Sequence, residues 1–238
     1  PPPPFSSRRR NTRLPTRSRG LGDVYKRQAE RVAILKHSPI TTPAFVIDTS
    51  VLLEEAQLAR KLVRDADTRL LFAIKSFSIF RGLQHLAATV DGFATSSLFE
   101  VRLARRILQP GQTIHLTSPG LRGDEIAAVC GLSDYLSFNS IPQWLRFREV
   151  AAGQVSCGLR INPQLSFLAD PRYDPSRRSS KLGIPLDALQ SLLEVSPQQL
   201  EGIRGIHFHN NCDSHDLSPL LRTVDRLLET RGEFDSVW

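Results

Sequence analysis

With 238 residues, 40% of them hydrophobic, the chain has apolar content for a substantial core, in one large domain or in parts of two. No apolar run is long enough to span a bilayer and no secretory signal is legible, so the expectation is a soluble cytoplasmic protein without membrane partners. The net charge of +7 suggests an acidic partner until its distribution is read: residues 1–28 hold eight of the 31 basic residues and one of the 24 acidic ones, leaving 23 of each. The basic character belongs to a leader and not to the fold, so nucleic acid is not inferred.

Residues 1–28, PPPPFSSRRRNTRLPTRSRGLGDVYKRQ, lack periodicity and cannot bury enough apolar surface to offset the entropy of ordering. They read as a disordered basic leader whose DVYKRQ ending looks like translated adaptor sequence joined to a gene fragment, which makes it non-native. Folded sequence starts near residue 29, and TPAFVID, residues 42–48, reads as a strand. Asp48, Thr49 and Ser50 then offer caps for a helix through about Arg64, with Val51, Leu52, Leu58, Leu62 and Val63 as its apolar side.

The stretch LLFAIKSFSIF, residues 70–80, places Lys75 where a continuous apolar run ends. Leu70–Ile74 suits a strand covered on both faces. Ser76 is the expected cap of a helix carried by Ile79, Phe80, Leu83, Leu86, Ala87 and Val90. From here strand-like segments begin near Leu70, Gly92, Thr113, Tyr135 and Gln154, at intervals of roughly 20 residues, each long enough for a strand, a helix and two short loops. Ser97 with Glu100 and Ser140 with Gln143 fit the S-x-x-E/Q capping box just after strands. Strand alternating with helix implies parallel strands, and the regularity favours an α/β fold of the (β/α)8 TIM type over an open sheet.

The fifth strand, QVSCGLRIN, leads into the polar segment PQLSFLADPRYDPSRRSSKLG, and so long a structureless segment is usually functional. A helix around Leu186 to Leu193, a sixth strand GIRGIHFHN and a helix through Leu217–Leu228 follow. FDSVW then starts a seventh strand, so about six units make an incomplete barrel. Cys130, Cys157 and Cys212 form no CxxC pair and read as reduced thiols.

Strand ends in a barrel converge on one face. Here they carry Lys75, residues 95–97, Arg160 with Asn162, and His207, His209, Asn210, Asn211, Cys212 and Asp213. A lysine for a Schiff base, an imidazole to stack and a guanidinium for an anionic oxygen suit pyridoxal 5'-phosphate. Plainer readings stand beside this one. His207 fits a hydrogen-bonded core residue, Arg160 a counter-charge to Asp170 and Asp174, and Arg177, Arg178 and Lys181 a solvated face. His207, His209, Cys212 and His215 also have the types and spacing of zinc ligands, as in metal-dependent barrel hydrolases. Those enzymes carry the H-x-H pair on the first strand, whereas here it is on the sixth, so no metal is assigned.

From about Thr42 to Trp238 the chain resembles the fold-type III pyridoxal-phosphate decarboxylases. The resemblance runs through TPAFVID, LLFAIKSF, GFATSSLFEVRLA, IHLTSP, YLSFNS, VSCGLRINP, SSKLGI and GIRGIHFHNNCD, in the family's order. TSSLFE, FNS, SCGLRINP and HFHNNCD point to the branch acting on carboxynorspermidine and carboxyspermidine, ahead of the diaminopimelate, ornithine or arginine decarboxylases or a non-catalytic cofactor-binding barrel. The resemblance implies that Lys75 forms the Schiff base with the cofactor, that His209 stacks on its ring and that Arg160 lies near it. Ser97 and Cys212 fall in matching segments without an assigned role. It further implies a homodimer acting on a polyamine precursor, in which residues 29–48 give one strand to a second, β-rich domain and residues 49–238 form the barrel. The phosphate loop, the acid facing the pyridine nitrogen and the substrate-binding carboxylates would lie beyond Trp238, making these 238 residues inactive alone.

Overall fold

A computed structural model describes residues 30, 32, 33, 35, 36, 39–41, 43–65, 67–168, 170–210, 216, 218–228 and 236–237. The chain divides into two units, one ending at Ile47 and the other beginning at Asp48. In the first, residues 44–47 form no strand pairing among the described residues, and Phe45 is fully exposed. The strand expected over 42–48 therefore lacks the ladder that defines one. The leader, residues 1–28, lies outside the described residues.

In the second unit α1 (Thr49–Val63) precedes β1 (Leu71–Ala73), α2 (Phe80–Ala87), β2 (Gly92–Thr95), α3 (Leu98–Arg105), β3 (Thr113–Ser118) and α4 (Ile126–Leu132). Next come β4 (Tyr135–Phe138), α5 (Ile141–Ala151), β5 (Ser156–Asn162), β6 (Ile184–Pro185), α6 (Leu186–Val195), β7 (Ile203–Phe208), α7 (Ser218–Leu228) and β8 (Ser236–Val237). All pairings are parallel, in the order β1-β2-β3-β4-β5-β7-β8, with the short β6 beside the end of β5. Six strand–helix units in sequence order, each strand beside the next, make the incomplete (β/α) barrel that the interval predicts, and β8 is the strand begun by FDSVW.

Alternation along the strands separates two faces. Phe93, Ile114, Leu116, Leu136, Phe138, Leu159, Ile161 and Ile206 are buried together with helix residues such as Leu83, Leu86, Val101, Val129, Phe147 and Leu189. This layer between sheet and helices is the core. The opposite, inward face carries Gly92 and Ala94, then Thr113, His115 and Thr117, Tyr135 and Ser137, Gly158 and Arg160, Gly205 and His207. Barrel interiors are ordinarily filled by bulky branched residues; from β2 to β7 these inward positions are instead glycine, alanine or polar.

The caps follow the sequence at three helices. Asp48 accepts the Ser50 N–H at 2.8 Å, Ser97 the Glu100 N–H at 3.3 Å and Ser140 the Gln143 N–H at 3.3 Å. The returning acceptors reach one residue further than the capping box requires, Glu100 to the Ser96 N–H at 2.7 Å and Gln143 to the Asn139 N–H at 2.7 Å. Two expectations are corrected. Ser76 caps no helix: Ile74–Ser76 is a 3-10 turn in which the Ser76 hydroxyl donates to the Ala73 carbonyl at 2.7 Å, and α2 starts only at Phe80. In α1 it is Leu52 and Ala56 that pack on the core, while Leu58 and Leu62 are 54% and 79% exposed. A helix's apolar pattern cannot say which of its apolar residues find a neighbour.

A recurring device fixes the lower rim. Asp91, just before β2, accepts the Leu70 N–H at 2.8 Å and pairs with Arg60 of α1; Asp134, just before β4, accepts the Ile114 N–H at 2.7 Å and pairs with Arg105 of α3 at 3.1 Å. Each carboxylate joins the start of one strand to the start of a neighbour and to a helix. Strand spacing is set as tightly at Gly92, where an added Cβ would lie 2.1 Å from the Thr113 carbonyl oxygen. Gly92→Ala is expected to cost about 3 kcal/mol or more by prising β2 from β3. Urea unfolding of the two proteins checks this, and a difference under about 1 kcal/mol would contradict the close approach.

Candidate functional site

Arg160 and His207 face each other in register on β5 and β7, one pair below the strand ends, and therefore share the inward face. Below them Gly158 pairs Gly205, so the row beneath has no side chains there. Lys75 is exposed on the turn that directly follows β1. Burial first, then the charge of Arg160, the neighbouring His209, Lys75 and His115, hold the His207 pKa down at about 3. His209 is lowered by burial and by Lys75 and Arg160. The three predicted site residues, Lys75, Arg160 and His209, are thus electrostatic neighbours around His207.

Among the described residues no carboxylate is paired with this neighbourhood. Burial lowers the Arg160 pKa, and among the described residues its guanidinium takes no hydrogen-bond or carboxylate partner. The counter-charge role for Asp170 and Asp174 is corrected: Asp170 pairs with Arg172 at 2.6 Å, and Asp174 accepts the Ser176 N–H at 2.8 Å. His207 Nδ1 is a buried atom without a partner, so the satisfied core histidine is corrected as well. The inward face offers positive charge, an idle imidazole nitrogen and room, which is what a flat anionic ligand requires.

Two features escaped the sequence reading. The first is a lower layer, in which the His115 and Tyr135 rings stack with centroids 4.2 Å apart at 16°, and His115 Nε2 lies 3.1 Å from the Thr113 hydroxyl. Burial, with a contribution from Arg69 against the opposing effect of Asp134, brings the His115 pKa to about 4. The polar alternation in Thr113-Ile-His-Leu-Thr117 was the available signal.

The second feature is a pair of buried asparagines that hold the segment after β5. Asn139, beyond β4, donates to the Lys181 carbonyl at 2.9 Å and accepts the Gly183 N–H at 2.9 Å. Asn162, ending β5, donates to the Arg177 carbonyl at 3.2 Å and accepts the Gln164 N–H at 2.9 Å. Gly183 has φ +87°, and a Cβ there would sit 2.9 Å from the Asn162 nitrogen, so only glycine lets the chain pass so close. The segment is fastened to the C-terminal ends of β4 and β5, while Arg177, Arg178 and Lys181 are exposed.

Other candidates carry less. Cys130 and Cys157 are free, buried thiols pushed up by burial to about 11 and about 12, which leaves them protonated and unreactive. Among the described residues no three His, Cys, Asp or Glu side chains gather to hold a metal, and Cys212 and His215 lie outside those residues. A groove of about 1110 Å³ is lined by Thr113, Tyr135, Ser156 and Arg204 at the N-terminal strand ends, opposite Lys75. It lies at the end of the barrel away from Lys75, and neither Arg160 nor His207 lines it. Among the described residues no helix is long and apolar enough to cross a membrane.

The profile described as "Pyridoxal-dependent decarboxylase, pyridoxal binding domain" matches residues 50–235. The chain belongs to this family. Among curated relatives of these decarboxylases, the carboxyaminopropylagmatine decarboxylase of Synechocystis sp. is 31% identical, over 83% of this chain and 49% of its own. A carboxynorspermidine/carboxyspermidine decarboxylase of Herminiimonas arsenicoxydans is 33% identical, over 82% and 51%. Among solved structures, carboxynorspermidine decarboxylase from Campylobacter jejuni, complexed with norspermidine, superposes with TM-score 0.67 at 26% identity, covering 82% of this chain and 47% of that one. The chain spans about half the length of the curated relatives it matches.

Removing both asparagine holds, Asn139→Ala with Asn162→Ala, is expected to speed trypsin cleavage after Arg177, Arg178 or Lys181 by roughly five- to thirtyfold. Mass mapping of the cleavage products follows this, and an unchanged rate would mean that the segment is held elsewhere. Acid provides a second measurement. An unfolded histidine takes its proton near 6.5, whereas folded His115 and His207 wait until about 4 and about 3. The unfolded state therefore binds more protons as the pH falls below 6.5, and stability should decline from there toward 3. The urea midpoint should fall between pH 7.5 and 4.5, and less steeply in His115→Phe; equal slopes in the two proteins would refute the assignment.

Proposed function

We propose that the protein containing this chain is a pyridoxal-phosphate-dependent decarboxylase of carboxylated polyamines, converting carboxynorspermidine or carboxyspermidine to norspermidine or spermidine. The observation that carries the reading is Arg160 and His207 in register above the Gly158–Gly205 pair, with Lys75 on the turn after β1 and Lys75 and Arg160 acting on His209, in a chain of this family. The residues present fit the cofactor. Arg160 and His207 Nδ1 lack partners of their own among the described residues, and the Gly158–Gly205 pair leaves the space beneath a ring unfilled.

Lys75 would hold the cofactor aldehyde, His209 would lie against the ring and Arg160 would face an anionic oxygen. When bound, the cofactor supplies the electron sink that takes up the pair left when the bond to the α-carboxylate breaks. Lys75, released when the substrate amine takes its place, is positioned to move the proton that replaces carbon dioxide. The neutral state of His207 and His209 keeps two further cations out of a site already holding Arg160 and Lys75.

Residues 29–48 are proposed to belong to a second domain, and the full-length protein to act as a homodimer, with these 238 residues inactive alone. Carboxyaminopropylagmatine is a second candidate substrate, because the Synechocystis relative carries that specificity in its name at 31% identity.

Full-length protein reconstituted with pyridoxal phosphate and reduced with borohydride should be labelled at Lys75. Lys75→Ala should abolish the label and lower carbon dioxide release from carboxynorspermidine at least about a hundredfold. Labelling at another lysine, or release from diaminopimelate alone, would overturn the proposal.

A further inference from the structure

His207 has been given no ligand contact above, yet Arg160, His209 and Lys75 all act on it. It stands in register with Arg160 across the β5–β7 ladder, so the two side chains rise from the same row of the inward face. Its Nδ1 is buried and unsatisfied. A buried nitrogen left without a partner is costly, and a purely structural histidine would be expected to have found one. Its surroundings also fix its charge state. With Arg160, His209, Lys75 and His115 all acting on it, His207 is a neutral imidazole throughout the physiological range. A neutral imidazole keeps one N–H to donate, and the cations around it draw an anionic acceptor to that place.

On the decarboxylase reading, the acceptor nearest Lys75 is the ring hydroxyl oxygen adjacent to the aldehyde. We propose that His207 is a cofactor-contacting residue, donating Nδ1–H to that oxygen alongside Arg160 and so seating the ring between the fifth and sixth barrel strands. The first histidine of the H-x-H pair then acts in the plane of the ring and the second, His209, on its face. His209 follows the end of β7, one step beyond the row of Arg160 and His207 and toward the end of the barrel that carries Lys75. No proton leaves His207 in this role. It binds and orients.

The test uses full-length protein and three variants. His207→Phe keeps the ring shape and loses the donor; His207→Gln moves an amide to the Nε2 position; His207→Asn places one near Nδ1. Cofactor affinity should fall by roughly ten- to a hundredfold in the Phe and Gln variants and recover in the Asn variant. The visible absorption of the bound cofactor, followed against pH, should shift in the same two variants. Without cofactor, the Phe variant should be as stable as the parent or more so, because it removes an unpaired buried nitrogen. A structural role predicts the reverse, with stability and affinity falling together.

A cofactor analogue methylated on the ring hydroxyl supplies a second readout. The parent should bind it more weakly than pyridoxal phosphate, while His207→Phe should barely distinguish the two. Parent-like affinity and absorption in the Phe variant, or discrimination of the analogue undiminished by it, would overturn the inference while leaving Lys75 labelled. A parent protein with no labelled Lys75 would instead remove the decarboxylase reading, and this inference with it.

Discussion

The register of the parallel ladder decides where every chemically active side chain of this barrel lies. Because strand side chains alternate, a slip of one residue would exchange the layer of Phe93, Ile114, Leu136, Leu159 and Ile206 with the layer of Ala94, His115, Ser137, Arg160 and His207. The first layer gains from being buried against helices, and burial of each such side chain is worth about 1.5–3 kcal/mol. The second contains groups that would be costly under a helix, above all Arg160. One free-energy difference therefore builds the core and the site together. Asp91 and Asp134 reinforce it from below by tying the starts of successive strands to each other and to a helix.

Electrostatics on the inward face is one-sided. Lys75, Arg160, His115, His207 and His209 gather with no carboxylate among the inward strand residues, and the imidazoles respond by staying neutral. Such an arrangement is poorly satisfied by the described residues alone and well satisfied by an anionic ligand, because the charge that stabilises the folded site arrives with what it binds. The stability of the barrel and the occupancy of its site are thereby linked.

What could be read from sequence was what is local. The strand interval, the caps at Asp48, Ser97 and Ser140, the long segment after β5 and the position of Lys75 at a strand end all follow from neighbours within a few residues. The 3-10 turn at Ile74–Ser76 hid the true start of α2 by imitating a cap, and Leu58 and Leu62 have the apolar character of core residues without any core to meet. The His115–Tyr135 stack and the Asn139 hold depend on partners 20 to 44 residues away, Asn162 reaches the Arg177 carbonyl 15 residues on, and the stack depends on strand register, none of which spacing alone reveals. For the site the same limit applies. Sequence pattern marked Lys75, Arg160 and His209, whereas the unsatisfied His207 nitrogen became visible only once the strands were set side by side.

The asparagine holds also bear on how such a site can diversify. Asn139 and Asn162 grip main-chain atoms of Gln164, Arg177, Lys181 and Gly183, and no side chain of the segment takes part in those bonds. A hold on backbone is blind to the residues displayed. Exposed side chains of the segment that make no internal bond, such as Arg178 and Lys181, can change without loosening these holds, while Gly183 cannot, since its path beside β5 excludes a Cβ. The barrel strands thus set the course of the segment, and the identity of its exposed side chains is left free of that task.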